Sequence, residues 1–494
     1  MARGIDVNLA NDPPTLDPSG LFGQVGFQVL DLVYEGLTAP GPEGRPQPAL
    51  AVRWEGLEDG RVWRFHLRDG VRFHTGRPLD ATAVKESLEE ILRPGRRPGL
   101  FAFLLRNVAG AAELTAGTAQ GLSGVEVVDA DTVEITLTGP DALFAGYPMY
   151  IFDVSVARND PDWHRHRSAG TGPFRLERWT PNVSLHLAAA PGYWGAPPPV
   201  DAVRYAVLTG IDAVLNAYDA GMLDVAVVSD DGVGRVLGNP RYRDRALLFR
   251  RVQFRYLGLN GSRYPPFADR DVRAAIAAAV DSAGLGRALY AEAAVPLSGF
   301  TVPGLAGHAA NRERVGEAAA PAPATPPGTI SGTPLPPLEI AGISVHRNEL
   351  SYLADRVGSV LGRPVGVRIM ERSAYLAAAT AGELPLFLGG WTADYPEMMS
   401  VLGPLWHSTS PFNVSRFAHP EVDALIEEAR VTLEEDRRHT LYAAIDRILR
   451  DHVAAVPLYT PSYVLLTRPD GPPVCLTPAG ALCFGRNAGA VKPN

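Results

Sequence analysis

Polar and apolar positions alternate most regularly between Val62 and Arg68, where Val62, Arg64, His66 and Arg68 interleave with Trp63, Phe65 and Leu67. A period of two is that of a half-buried strand. Glu58-Asp59-Gly60 and Arg68-Asp69-Gly70 bracket it with turn chemistry, because glycine takes up positive φ without a Cβ clash. Val71 to His74 predicts a second short strand, and Thr75-Gly76 a further turn. The period then lengthens: Val84, Leu88, Ile91 and Leu92 form one helical stripe, with Asp80 placed to cap its start and Pro94-Gly95 to end it. The segment predicts a β-hairpin feeding a helix.

The same reading over the rest of the chain gives mixed α and β. Ile5 to Leu9 is strand-like. Val125 to Val128 with Thr132 to Leu137 predicts a hairpin, as does Phe174 to Trp179 with Val183 to Leu187. Helical periods run over Asp271 to Val280, Glu421 to Arg430 and Arg437 to Arg450. Val365 to Ile369 and Leu384 to Leu388 are short apolar strands flanking a helix over Ser373 to Ala381. That crossover places Trp391 at the C-terminal end of a strand, where open α/β sheets hold their ligands. The stretch from His308 to Pro337 is rich in Pro and Ala, cannot bury a core and predicts an exposed insertion.

Composition narrows the class. A chain of 494 residues, 46% hydrophobic and 20% charged, predicts a globular protein of more than one lobe. Its net charge of −8, with arginines balanced by acids, argues against nucleic acid as a partner. The chain opens Met1-Ala2-Arg3-Gly4 and runs directly into Ile5 to Leu9, without the charged, apolar and cleavage regions of an export signal. This predicts either a mature form acting outside the cytoplasm, at the cell surface or in the periplasm, or a cytoplasmic protein if that N-terminus is native. Cys475 and Cys483 are the only cysteines; they are placed to close a small disulfide loop or to remain two small apolar side chains.

Ordered blocks carry more information than any of this. They are Leu16-Asp17-Pro18, Tyr34-Glu35-Gly36-Leu37, Pro48-Ala49-Leu50-Ala51 and the run from Trp63 to Asp80. Gly170-Thr171-Gly172-Pro173-Phe174, Tyr256-Leu257-Gly258-Leu259-Asn260, Pro265 to Ile276 and Gly390-Trp391-Thr392-Ala393-Asp394-Tyr395-Pro396 follow. In this order over nearly the whole chain, they resemble the family 5 extracellular solute-binding proteins, the oligopeptide-, dipeptide- and nickel-binding receptors of ABC importers. The resemblance implies an α/β, periplasmic-binding-protein-like fold: two lobes joined by a two-segment hinge (type II, cluster C-like), with an extra interposed domain. It implies one lobe from residues 1–33, 157–253 and 458–494, the extra domain from 34–156, and a second lobe from 254–457 carrying the 308–337 insertion. Hinge crossings are expected near Val252 to Tyr256 and Pro457 to Tyr459.

The resemblance also implies recognition without catalysis, no cofactor and no metal. A monomer would bind a peptide or other small molecule between its lobes and present it to ABC permease subunits. Asp394 is expected to pair with a ligand ammonium, since a carboxylate held away from water accepts short charge-assisted hydrogen bonds and is costly to leave alone. Trp391, with Thr392, Ala393 and Tyr395, would line the same pocket. Gln24, Val25, Gly26 and Phe27, read as a glycine-bearing loop, would offer backbone hydrogen bonds to an extended peptide. Arg372 and Arg416 are candidates for a ligand carboxylate by location alone.

Other constellations fail on inspection. Trp163 to Arg167 alternates two histidines with arginines that disfavour a divalent metal, while His407 and His419 keep a nickel-chelate ligand open. Asn182-Val183-Ser184 and Asn413-Val414-Ser415 fit glycosylation sequons. Neither a phosphate loop nor a nucleophile motif is present. The alternatives are a cytosolic sensor or biosynthetic accessory protein, an enzyme on the same scaffold, or a receptor for a sugar, opine or nickel chelate.

Overall fold

The computed structural model describes residues 4–21, 24–41, 45–95, 99–158, 160, 162–229, 232–290, 293–308, 336–469, 471, 474–477 and 481–484. Most of the Pro/Ala-rich stretch (309–335) lies outside them. The chain divides into two compact units, residues 1–228 with 465–491, and residues 229–464 with 492–494.

In the first unit, strands Phe174–Thr180, Ser184–Ala189, Ala202–Val207, Gly4–Leu9 and Val225–Val228 lie side by side in that order. The first three are antiparallel neighbours, and Gly4–Leu9 runs parallel to both Ala202–Val207 and Val225–Val228. A separate four-stranded sheet is built from Ala51–Leu57, Val62–Leu67, Thr132–Thr136 and Val125–Val127. Trp63, Phe65 and Leu67 are buried in it, as their alternation predicts. The helix Ala81–Ile91 follows, with the Asp80 carboxylate accepting from the Ala83 N–H at 2.7 Å. Val71 to His74, expected as a strand, makes only an isolated bridge between Arg72 and Pro78. The true hairpin partner of Val62–Leu67 is Ala51–Leu57, on its N-terminal side.

The motif blocks meet in this unit. Glu35 accepts from the Thr171 hydroxyl (2.8 Å), the Tyr193 hydroxyl (2.8 Å) and the Trp194 indole (2.7 Å), and the Arg68 guanidinium sits 4.5 Å over the Trp194 ring. Gly170 and Gly172 have a steric reason. Gly172 donates its N–H to the Val33 carbonyl at 3.0 Å, and a Cβ there would lie 2.7 Å from the Leu32 oxygen. Only a residue without a side chain lets this turn close against the end of helix Gln24–Val33.

In the second unit, strands Val456–Thr467, Gln253–Leu259, Leu386–Thr392, Glu339–Ile343 and Gly366–Met370 follow one another. Gln253–Leu259 is antiparallel to both neighbours, and the last three strands are mutually parallel. Helix Arg372–Thr380 crosses from Gly366–Met370 to Leu386–Thr392, the predicted crossover, but Glu339–Ile343 lies between the two strands it joins. Helices Arg270–Ala279, Pro420–Val431 and Glu435–Asp451 occupy the predicted segments. Trp406 is wholly buried, edge-on to Phe300 with centroids 4.9 Å apart and near Phe254 and Tyr256. Gly258 and Gly389 leave the space taken by the rings of Phe387 and Tyr256. Asn260, fully buried, donates to the Gly382 carbonyl at 3.2 Å and accepts from Ser262, closing the strand end. Cys475 and Cys483 are joined in a disulfide across the two-stranded Val474–Leu476 and Leu482–Phe484 hairpin, which resolves the choice their spacing left open.

Candidate functional site

Strand Leu386–Thr392 delivers the candidate residues in register. Trp391 is opposite Phe254 and Thr392 opposite Gln253, and the Ala393 N–H donates to the Val252 carbonyl at 2.8 Å. The chain then turns. Glu397 returns its N–H to the Tyr395 carbonyl (2.8 Å), and Pro396 and Met398 bracket Ala306 through hydrogen bonds of 3.1 and 3.2 Å. The Trp391 indole donates to the Ser400 carbonyl at 2.7 Å and lies 5.0 Å from the Phe412 ring. Trp391 therefore ties the start of the turn to the helix that follows it, Met399–Trp406, while staying half-buried.

Asp394 sits at the bend. Burial pushes its carboxyl up from the ordinary carboxylate range to about 7, and no charge or hydrogen bond opposes that shift. This sets it apart from the other carboxylates raised by burial. Asp31 is raised to about 6 but receives the Tyr150 hydroxyl; Glu35 has three donors; Glu397 has Arg438 and Tyr442. Asp394 has no partner among the described residues. A carboxylate is costly to desolvate unless a positive or hydrogen-bonding group offsets the loss.

Gln24, Val25, Gly26 and Phe27 are not a loop. They form the first turn of helix Gln24–Val33 in the first unit. Gly26 packs against the Leu21 side chain, and Phe27 meets Tyr150 edge-on at 6.3 Å. Their carbonyls are committed to the helix, but the N–H groups of a first turn have no intrahelical acceptor and can still donate outward. The apolar spacing of Val25, Val29, Leu30 and Val33 carries the helical signal, which the flanking glycines masked.

The arginines chosen by location lie at the surface. Arg416 donates to the Thr380 carbonyl at 2.6 Å and is exposed, as is Arg372. His407 pairs with Glu427 at 3.3 Å, His419 lies ring to ring with His452, and no group of three metal-ligating side chains occurs among the described residues. Trp163 is buried against Phe152, and Asn413 is spent on the His407 and Phe417 carbonyls, so both motifs are structural. Sequence reasoning missed Glu397, Arg438 and Tyr442. The signal was present: Arg438 and Tyr442 stand at i and i+4 on one helix, three residues downstream of Asp394 lies an acid, and all three are buried.

Comparison with known proteins identifies the family and the fold. The family model described as bacterial extracellular solute-binding proteins, family 5 middle, matches residues 45–413. A probable deoxycholate-binding periplasmic protein of Escherichia coli is 28% identical, over 94% of this chain and 89% of its own. A dipeptide-binding protein of Bacillus subtilis is 24% identical, over 92% and 86%. The solved murein tripeptide-binding protein of Escherichia coli superposes with a TM-score of 0.74 at 22% identity, covering 97% of this chain and 96% of that one, and so shares the two-lobed α/β fold. With the match spanning the Asp394 turn as well as the Trp63 to Asp80 and Gly170 to Phe174 blocks of the first unit, the chain belongs to the family 5 bacterial extracellular solute-binding proteins.

Proposed function

We propose that this protein is the substrate-binding receptor of an ABC-type importer and that it captures a peptide or a similar amine-bearing small molecule, releasing it unchanged to permease subunits. The observation that carries this reading is the half-buried carboxylate of Asp394, which has no partner among the described residues and whose pKa burial raises to about 7. An ammonium supplies both the positive charge and the N–H donors that such a group lacks. Relatives named for dipeptide and murein tripeptide binding support a peptide as the bearer of that ammonium. The disulfide between Cys475 and Cys483 supports an extracytoplasmic site of action, since such bonds persist in oxidising compartments.

Calorimetry with trialanine and N-acetyl-trialanine tests the reading. The free amine binds, acetylation abolishes binding, and Asp394→Asn removes the distinction. Equal affinity for the two peptides would sink the ammonium assignment. The relative named for deoxycholate motivates one further ligand in the same experiment. An anionic steroid would have to lie against Asp394, so tight deoxycholate binding with no peptide binding would transfer the site to a different ligand class.

A further inference from the structure

Asp394 is half-buried in a turn between strand Leu386–Thr392 and helix Met399–Trp406. Its own side chain bonds to nothing described, and residues 394 to 396 belong to no strand or helix. A carboxylate left without a partner depends on the surrounding chain to hold it in place.

The turn is pinned at its far end by a buried side-chain cluster. The Glu397 carboxylate accepts from Arg438 Nε at 3.2 Å and from the Tyr442 hydroxyl at 2.7 Å, and all three residues are buried. Arg438 is itself fixed, donating through Nη1 to the Thr432 (2.9 Å) and Leu433 (3.2 Å) carbonyls at the end of the preceding helix. The Glu397 carbonyl accepts from the Ser400 N–H (3.0 Å) and hydroxyl (2.6 Å), and Ser400 in turn receives the Trp391 indole. Glu397 and its neighbours thus tie the Asp394 turn to helices Met399–Trp406 and Glu435–Asp451. A buried ion pair is a costly way to gain stability, and an apolar replacement of the same volume often serves as well. What it supplies here is direction: a bidentate-capable cation and a hydroxyl fix one orientation of Glu397, and with it the chain three residues upstream.

We infer that Glu397, Arg438 and Tyr442 are positioning residues that hold Asp394 in its half-buried, unpartnered place and so set the ammonium selectivity of the site. This rests on the ammonium reading of Asp394 for its functional consequence, but its physical content can be measured without any ligand. The carboxyl titration of Asp394 is followed by NMR in protein labelled at aspartate side-chain carbons, with the Asp394→Asn variant assigning the signal. In Tyr442→Phe, which removes one hydroxyl, and in Glu397→Gln, the turn loosens, water reaches Asp394 and its midpoint falls by about one unit or more toward the ordinary range. A purely structural role for the cluster would lower the melting temperature and leave that midpoint where it is. An unchanged Asp394 midpoint in folded Tyr442→Phe overturns the inference, and that variant keeps the test open should Glu397→Gln fail to fold. Trialanine and N-acetyl-trialanine provide the second arm. Where the wild type discriminates between them, Tyr442→Phe reduces the ratio several-fold. A wild type that does not discriminate removes the ammonium reading and leaves the titration result standing.

Discussion

The His74 imidazole donates through Nε2 to the Gly172 carbonyl at 2.8 Å, while Nδ1 accepts from the Ser168 hydroxyl at 2.9 Å. The His74 backbone N–H adds a hydrogen bond to Gly170 at 2.8 Å. One residue of the early motif block thus clamps the turn of a block almost a hundred positions later. Both serve the architecture of the first unit.

The clamp titrates. Burial, reinforced by the charge of Arg175, pushes His74 down to about 4 against the hydrogen bond that favours its protonated form. Because the folded pKa lies below the ordinary 6.5, the unfolded chain binds the proton first and stability falls as pH drops from about 6.5 to about 4. The loss across that window is on the order of 2–3 kcal/mol. Urea denaturation of wild type and His74→Gln at pH 7.5 and pH 4.5 measures it. The variant shows a shallower decline, and parallel declines would refute the assignment.

Asp394 has the opposite sign. Its folded pKa of about 7 lies above the ordinary carboxylate value, so the stability it contributes is present below about 4 and is lost as pH rises through 7. Without ligand, Asp394→Asn is therefore more stable than wild type at pH 8, by roughly 1–3 kcal/mol after allowing for its partial exposure, and indistinguishable at pH 4. Thermal melts of the two proteins at both pH values decide this. A variant less stable than wild type at pH 8 would mean that Asp394 has a structural partner.

Binding carries its own pH signature. Capture needs Asp394 ionised and the ligand amine protonated, and the amine of a short peptide titrates near 7.7–8.0. Trialanine affinity therefore rises from pH 5 to about 7, peaks near pH 7 to 8 and declines above. Proton release on binding at pH 6 appears in calorimetry as a dependence of the apparent enthalpy on the buffer. A flat affinity profile from pH 5 to 8 would leave Asp394 without a role in the complex.

Local patterning was enough for the elements and too little for their neighbours. Asp80 as a cap, the Trp63, Phe65 and Leu67 face and the helices around Asp271, Glu421 and Arg437 follow from periods of two and 3.6 and from turn residues, all short-range properties. Val71 to His74 has strand-like composition but is diverted, because His74 is claimed by a turn at Gly170 to Gly172 that no local rule connects to it. Gln24 to Phe27 was obscured for the reverse reason: Gly23 and Gly26 signal a loop, yet Gly26 is there so that the helix can pack on Leu21. The motif singles out Asp394 in the sequence. Its lack of a partner, and the brace from Glu397 to Arg438 and Tyr442, depend on packing across forty residues of sequence and could only be seen in three dimensions.

The glycines of the Gly170-Thr171-Gly172 turn make a steric prediction. A Cβ at Gly170 would overlap the Val33 carbonyl, and one at Gly172 would come within 2.7 Å of Leu32 and Val33 backbone atoms. Backbone cannot move aside as a flexible side chain can, so Gly170→Ala costs about 2–4 kcal/mol and Gly172→Ala a comparable amount. Chemical denaturation reads the loss directly. Gly192→Ala, at a positive-φ glycine with open space around its missing Cβ, is the control for backbone strain alone and costs less. Equal losses at all three positions would show that close approach is not what these residues are for.

The disulfide gives the final test. Cys475 and Cys483 are eight residues apart and face each other across a short hairpin, so the bond closes a small loop. Chain-entropy reasoning assigns such a loop about 2–3 kcal/mol, less than for a long closure because a short segment has little freedom to lose. Reduction, or Cys475→Ser with Cys483→Ser, therefore lowers the melting temperature of the first unit, to which the hairpin belongs, and leaves the Asp394 titration untouched. Thiol counting on protein isolated from its native host and on protein made in a reducing cytosol adds the biological arm. Two free thiols in the native-host protein would remove the disulfide as support for an extracytoplasmic role. An intact bond there, with a stability loss on reduction, ties the fold of this hairpin to the compartment in which a receptor of this family works.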